Sequence, residues 1–105
     1  SEATNGEMIY YTSTVYFEEA AVEQFEAMLD TDDRWFEKLP DELEKLASAF
    51  AYYSEGKCSI VIYNITTNQI NTVPQESGSY RIITFSYIKE NKTMHITEYD
   101  IEYEK

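Results

Sequence analysis

The chain has 105 residues, in which 20 Asp and Glu side chains outnumber 8 Lys and Arg, so that the formal net charge is −12. This length suits one domain with a modest hydrophobic core. An apolar share of 43% and an aromatic share of 15% exclude a disordered acidic tail. The single cysteine excludes an internal disulfide. The strong negative charge argues against direct binding of nucleic-acid phosphates.

The first part of the chain predicts a strand and then a helix. Residues 1–7 are small and polar, which indicates a flexible lead-in. From Met8 to Phe17, β-branched and aromatic residues are dense, which predicts a strand. Apolar residues then recur at spacings of three and four from Val22 to Leu29, as in an amphipathic helix. The helix should end in residues 30–33, which are capping and turn residues.

A second helix is predicted to begin at Pro40, because proline suits the first position of a helix and two acidic residues follow it. Gly56 is placed for its C-terminal cap. Its buried stripe is predicted to contain Leu43, Leu46, Ala47, Phe50 and Tyr53.

The remainder of the chain predicts β-sheet. Apolar and β-branched runs indicate strands over residues 58–63, 70–73, 80–88 and 93–103, and the last two form a hairpin. Residues 8–105 therefore predict a single α+β domain of order β-α-α-β-β-β-β. We expect an antiparallel sheet with the two helices packed on one face.

The charge is unevenly distributed along the chain. Residues 18–45 hold eleven acids and three bases, a net charge of −8. Residues 46–97 hold three acids and four bases, a net charge of +1, and residues 98–105 return to −3. The helical region and the C-terminal end are therefore acidic, while the predicted central sheet is nearly neutral.

Two sets of acids repeat at the period of their secondary structure. On the first helix, four acids spaced four, three and four residues apart share one face, namely Glu19, Glu23, Glu26 and Asp30. Along the last strand the acids alternate and point to the same side, namely Glu98, Asp100, Glu102 and Glu104. This second pattern predicts that the strand runs past its sheet partner with that side in water.

The clustered carboxylates predict a non-enzymatic protein that binds a basic protein partner. An inhibitor or immunity-type protein would occlude the positive surface of a toxin nuclease or another nucleic-acid-binding protein. The tryptophan beside the acidic turn is either an apolar anchor or a core residue beneath the helices. The residues that we predict to bind the partner are Glu19, Glu23, Glu26, Asp30, Asp32, Asp33 and Trp35.

Other interpretations stay open. The acidic faces could serve solubility alone. A structural or accessory domain, in the cytoplasm or outside it, would interact through a tyrosine-rich sheet face or form a homodimer across it. A small enzyme would depend on Cys58 and His95, which are the one pair that resembles a nucleophile and its base. Both fall in predicted strands, and we assign no catalytic residue.

No cofactor or metal is predicted. The run Asp30-Thr31-Asp32-Asp33 lacks the Gly and Glu that an EF-hand loop requires further along, and no His/Cys spacing suits zinc. No stretch approaches the ~20 apolar residues of a membrane span. The unpaired cysteine is typical of a reducing compartment, which favours the cytoplasm, although a removed signal peptide stays open.

Overall fold

A computed structural model describes residues 10–47, 56–71 and 73–105 of the chain. Within these ranges the order of elements is β-α-α-β-β-β-β, so the predicted α+β class and element order are confirmed. The strands are β1 (Tyr10–Tyr16), β2 (Gly56–Asn64), β3 (Gln69–Asn71), β4 (Gly78–Ile88) and β5 (Thr93–Tyr103). The helices are α1 (Glu19–Leu29) and α2 (Asp41–Ala47).

The boundaries differ from the predicted ones at the second helix. Gly56, predicted as its C-terminal cap, is the first residue of β2 and pairs with Ile88 at the end of β4. The strand begins this early because β4 is long enough to offer a backbone partner to Gly56. The predicted lead-in of residues 1–7 and the predicted stripe residues Phe50 and Tyr53 lie outside the described residues.

The five strands form one antiparallel sheet in the order β1-β5-β4-β2-β3. The β4–β5 hairpin at its centre is paired from Gly78↔Tyr103 to Ile88↔Thr93. The prediction that the last strand runs past its partner is therefore wrong, since β4 extends as far as β5 does. Glu98, Asp100 and Glu102 consequently lie on the surface of the sheet, and Glu104 follows the end of β5.

One face of the sheet is covered by α2. Leu43 and Leu46 of this helix pack in one buried cluster with Cys58, Ile82 and Tyr99. The Tyr99 hydroxyl donates a hydrogen bond of 2.6 Å to the Leu46 carbonyl oxygen. We call this side of the sheet the α2 face. Along β4, the buried residues that point to it are Tyr80, Ile82, Thr84 and Ser86.

Helix α1 packs on the opposite side, which we call the α1 face. Leu29 lies in a second buried cluster with Tyr87 and Met94, and Phe25 packs against this cluster. Tyr87 and Met94 are register partners on β4 and β5. Because side chains alternate along a strand, Tyr87 and Ile82 point to opposite faces of the sheet.

The structure thus corrects the prediction that both helices pack on one face. The segment between them passes around the edge of β2, where Phe36 forms an antiparallel bridge with Cys58. The two residues exchange backbone N–H···O hydrogen bonds of 2.8 Å. Trp35 then packs with the α1 cluster, whereas Phe36 packs with the α2 cluster. Consecutive side chains of one bridged segment therefore enter two separate cores.

We expect Tyr99→Phe to lower the free energy of unfolding by about 1 kcal/mol, because it leaves the buried Leu46 carbonyl without this donor. Urea denaturation monitored by circular dichroism measures the change. Tyr11→Phe is the matched control, since the Tyr11 side chain is 64% exposed and should be unaffected. An equal loss in both variants would contradict the role assigned to the Tyr99 hydroxyl.

Candidate binding surface

The structure places the predicted binding residues in several different environments. Glu19, Glu23, Asp30 and Asp33 are exposed. Glu26 is instead turned toward the sheet, where it is half-buried. These acids therefore do not form one uniform surface.

Glu26 is engaged by the end of the β4–β5 hairpin. The Tyr87 hydroxyl donates a hydrogen bond of 2.7 Å to Glu26 Oε2, and Lys92 Nζ lies 4.0 Å from the same oxygen. Burial of Tyr87, together with its bond to the carboxylate, raises the pKa of the phenol. Glu26 thus joins α1 to the sheet, and its charge is partly offset within the molecule.

Asp32 is bound by its neighbour Arg34. The Arg34 backbone N–H and Nε both donate to Asp32 Oδ1 at 2.9 Å, and Nη2 donates to Oδ2 at 2.6 Å. These hydrogen bonds from Arg34 lower the pKa of Asp32 to about 2. The pair closes the turn after α1 and leaves little net charge at Asp32 for a partner.

Trp35 packs between α1 and the sheet. Its ring lies 5.7 Å from that of Phe25 in an edge-to-face arrangement, and 6.3 Å from that of Phe85. The side chain is half-buried. Trp35 was predicted to be either an apolar anchor or a core residue beneath the helices. Its packing against Phe25 of α1 is that of a residue beneath a helix.

Helix α1 covers only one end of the α1 face. Its cluster includes Phe85, Tyr87, Met94 and Ile96, which lie near the β4–β5 turn. Toward the other end of the same face, no helix among the described residues covers the sheet. We call this surface the open face. Its side chains, placed there by strand register, are Tyr11, Val61, Tyr63, Ile70, Arg81, Ile83, Glu98, Asp100 and Glu102.

The carboxylates of the open face are held by one arginine. Arg81 Nε donates to Asp100 Oδ1 at 2.7 Å, and Nη2 donates to Oδ2 at 3.1 Å. Glu98 Oε2 lies 3.6 Å from Arg81 Nε. Further along β5, Glu102 accepts a hydrogen bond from the Ser79 hydroxyl. Two of these acids are therefore held by Arg81 and the third by Ser79, and with three carboxylates to one guanidinium this strip stays net negative.

Apolar side chains border the strip of carboxylates. Tyr11 is 64% exposed and Ile70 is 73% exposed, at opposite edges of the sheet. Val61, Tyr63 and Ile83 are half-buried between them. Aromatic and aliphatic side chains with ordered polar groups at their margin are typical of a protein-binding surface.

Two depressions adjoin the open face. A cavity of about 110 Å³ is lined by residues that include Tyr11, Arg81 and Asp100. A groove of about 450 Å³ follows the edge of β2, where Ile60 and Ile70 contribute to its wall. The surface around the open face is thus contoured and contains two recesses.

Cys58 and His95 do not form a nucleophile–base pair. Cys58 is paired with Ser86, and Ser86 with His95, so the two lie two strands apart, about 10 Å. The Cys58 thiol is buried, which raises its pKa to about 11. A thiol of this kind is protonated at neutral pH and is a poor nucleophile.

Within the described part of the chain, no group of three or more His, Cys, Asp or Glu side chains is placed to hold a metal ion. The same residues contain no helix that is long and apolar enough to cross a membrane.

The open face was not predicted from the sequence, although two of its acids were placed on one side of the last strand. The alternation of Glu98 and Asp100 showed that they share a side of β5. Arg81, Tyr63 and Ile83 were missed, because their neighbours are set by register between strands distant in sequence. The polar Arg81 between the apolar Tyr80 and Ile82 is the signal that one side of β4 meets water.

We expect Arg34→Gln to return the pKa of Asp32 from about 2 toward its ordinary value of 3.8, since the lowering comes mainly from Arg34. In the native protein the pair is intact above pH 3.8 and is lost as the pH falls through about 2. Carbon-13 NMR titration of the carboxyl measures both proteins. An unchanged Asp32 pKa in the variant would contradict this origin.

Cys58 should resist thiol reagents in the folded protein at pH 8, because the thiol is buried and its pKa is about 11. Labelling by iodoacetamide, followed by mass spectrometry, should become at least tenfold faster in denaturant. Fast labelling of the native protein at this pH would contradict a buried, protonated thiol.

Comparison of the chain with protein-family models, with curated proteins and with solved structures finds no match to any of them.

Proposed function

We propose that this chain is a protein-binding domain that occludes a basic partner, in the manner of an inhibitor or immunity protein. The observation that supports the proposal is the open face. It combines exposed tyrosine and aliphatic side chains with ordered carboxylates on a part of the sheet that α1 leaves uncovered. The natural class of partner is a toxin nuclease or another nucleic-acid-binding protein, because its functional surface must be positive.

Charge supports a basic partner over a neutral one. The net charge of −12 attracts a cationic protein from a distance and raises its association rate. The exposed acids of α1, such as Glu19 and Glu23, contribute to this long-range field. Close contact requires apolar area as well, and the open face supplies it around Tyr63 and Ile83.

The open face suits close contact better than the acidic side of α1 does. Carboxylates have partners within the molecule on both surfaces, since Tyr87 binds Glu26 beneath α1 and Arg34 binds Asp32 on the following turn. The open face keeps its carboxylates beside apolar side chains, and Arg81 holds Asp100 in a defined position. A preorganised surface loses less side-chain entropy when a partner binds.

The accessory-domain alternative uses the same surface. Tyr11 and Tyr63 belong to the open face, so a tyrosine-rich contact and an acidic contact would overlap. The two functions differ in their response to salt, because ionic strength weakens attraction between opposite charges and leaves apolar burial largely intact. Salt dependence therefore separates them.

The test compares immobilised wild-type protein with the double variant Asp100→Asn/Glu102→Gln. The probe is the heparin-retained protein fraction of the source organism, and bound proteins are quantified by mass spectrometry at 50 and 300 mM NaCl. We expect a basic protein to bind the wild type at low salt. The double variant should bind this basic protein at least about fivefold more weakly than the wild type does at low salt. High salt should reduce the difference between the two proteins.

The matched control is Glu19→Gln/Glu23→Gln, which removes the same charge from α1 and should change affinity less than twofold. A larger loss of affinity in this control than in the β5 variant would indicate that the partner binds at α1 instead of the open face. An affinity that changes neither with salt nor in the β5 double variant would favour the accessory-domain alternative. If no basic protein binds the wild type, the proposed function is wrong.

A further inference from the structure

The outer edge of β1 has no strand partner among the residues that the structure describes. Within this part of the chain β1 is the first strand in the sheet order and pairs with β5, from Tyr10↔Tyr99 to Tyr16↔Thr93. No described residue pairs with its other side. Open edges of this kind are usually protected by lysine, proline or a bulge, because they can add a strand from another chain.

None of these protective features is present in β1. Its sequence, Tyr-Tyr-Thr-Ser-Thr-Val-Tyr, contains no charge and no proline, and its register with β5 is continuous. Tyr11, Val15 and Tyr16 are 64%, 40% and 74% exposed. In a chain of net charge −12, this uncharged edge is where a second copy meets little repulsion from facing side chains.

The sequence of β1 is also nearly the same in both directions. Thr12 and Thr14 flank Ser13 symmetrically, and tyrosines stand at both ends. We propose that two copies of this chain associate through β1, which pairs antiparallel with the same strand of the second copy about a two-fold axis at Ser13. Such an interface is isologous, because each residue contacts the same patch of the partner.

The register within the molecule supports this pairing. The Phe17 backbone N–H donates to the Lys92 carbonyl at 3.3 Å, so odd-numbered residues of β1 direct their backbone groups toward β5. Thr12, Thr14 and Tyr16 therefore direct theirs outward. A two-fold axis at Ser13 pairs the outward groups of Thr12 with those of Thr14 in the second copy.

The side chains that meet across the axis are compatible pairs. Thr12 would lie opposite Thr14 of the second copy, and Tyr11 opposite Val15. Threonine pairs and pairs of aromatic with β-branched residues stabilise neighbouring strands. Each Tyr11–Val15 pair covers two side chains that are exposed in one copy.

This association would join two sheets into one continuous sheet. A two-fold axis perpendicular to the sheet keeps the α1 face of both copies on the same side. The two open faces would then adjoin through Tyr11, and a basic partner would meet a surface twice as wide. The pairing itself does not depend on the proposed partner.

Oxidative cross-linking of Ser13→Cys tests the axis. In a non-hydrogen-bonded antiparallel pair the two Cα atoms lie about 4.5 Å apart, which permits a disulfide. Tyr11→Cys is the matched control, because the two copies of that position would be roughly 13 Å apart. Cys58 does not compete, because it is buried and its pKa is about 11. We expect cross-linked dimer at least tenfold faster from Ser13→Cys, and equal rates would overturn the proposed axis.

Sedimentation equilibrium tests association without a cross-link. We expect a monomer–dimer equilibrium that shifts toward dimer as salt is added, because salt screens the repulsion between two negatively charged copies. Binding of a basic partner should respond to salt in the opposite way. Ser13→Glu places two carboxylates opposite each other and should raise the dimer dissociation constant at least tenfold. Thr67→Glu adds the same charge in an exposed turn and should have little effect.

Thermal unfolding of each variant shows whether the fold is retained. A wild type that stays monomeric at 300 mM NaCl and millimolar protein would overturn the pairing. So would a folded Ser13→Glu variant that dimerises like Thr67→Glu. Since cross-linking and sedimentation use no partner, failure of the dimer and failure of partner binding are distinguishable.

Discussion

The backbone bridge between Phe36 and Cys58 is the constraint on which the arrangement of this molecule depends. It ties the segment between the helices to the edge of β2, so α1 and α2 are directed to opposite faces of the sheet. If both helices shared one face, the other would be open along its whole length. With one short helix on each face, α2 and the hairpin residues form one core, and α1 forms a smaller second core.

Because α1 covers only part of the α1 face, charged side chains of the sheet remain exposed on the rest of that face. Because α1 packs against Tyr87 and Met94, the far end of that face is left to Arg81, Glu98 and Asp100. The acids on the helix border that core, and Glu26 contributes to joining helix and sheet. Total charge is thus a poor guide to a binding site, since carboxylates of the same chain lie in different surroundings, and those of the open face lie beside apolar side chains.

Local pattern predicted much of the fold. The last strand was predicted over the residues that β5 occupies, and α1 ends at Leu29 where the turn residues begin. A strand or helix that buries one face needs apolar residues at every second position or at every third and fourth position. Such a pattern is visible among neighbouring residues of the sequence. Gly56 was misassigned because a glycine after a helical pattern and a glycine at the start of a strand look alike in sequence.

The sequence alone determined the class and order of elements, the net charge and the uncharged character of β1, since each follows from composition or short-range period. It did not determine which face each helix covers, or that Arg81 meets Asp100. Those depend on strand register and on the path of one connecting segment around a sheet edge. Contacts between residues far apart in sequence produce no repeating pattern in the sequence. Only the tertiary structure therefore decided them.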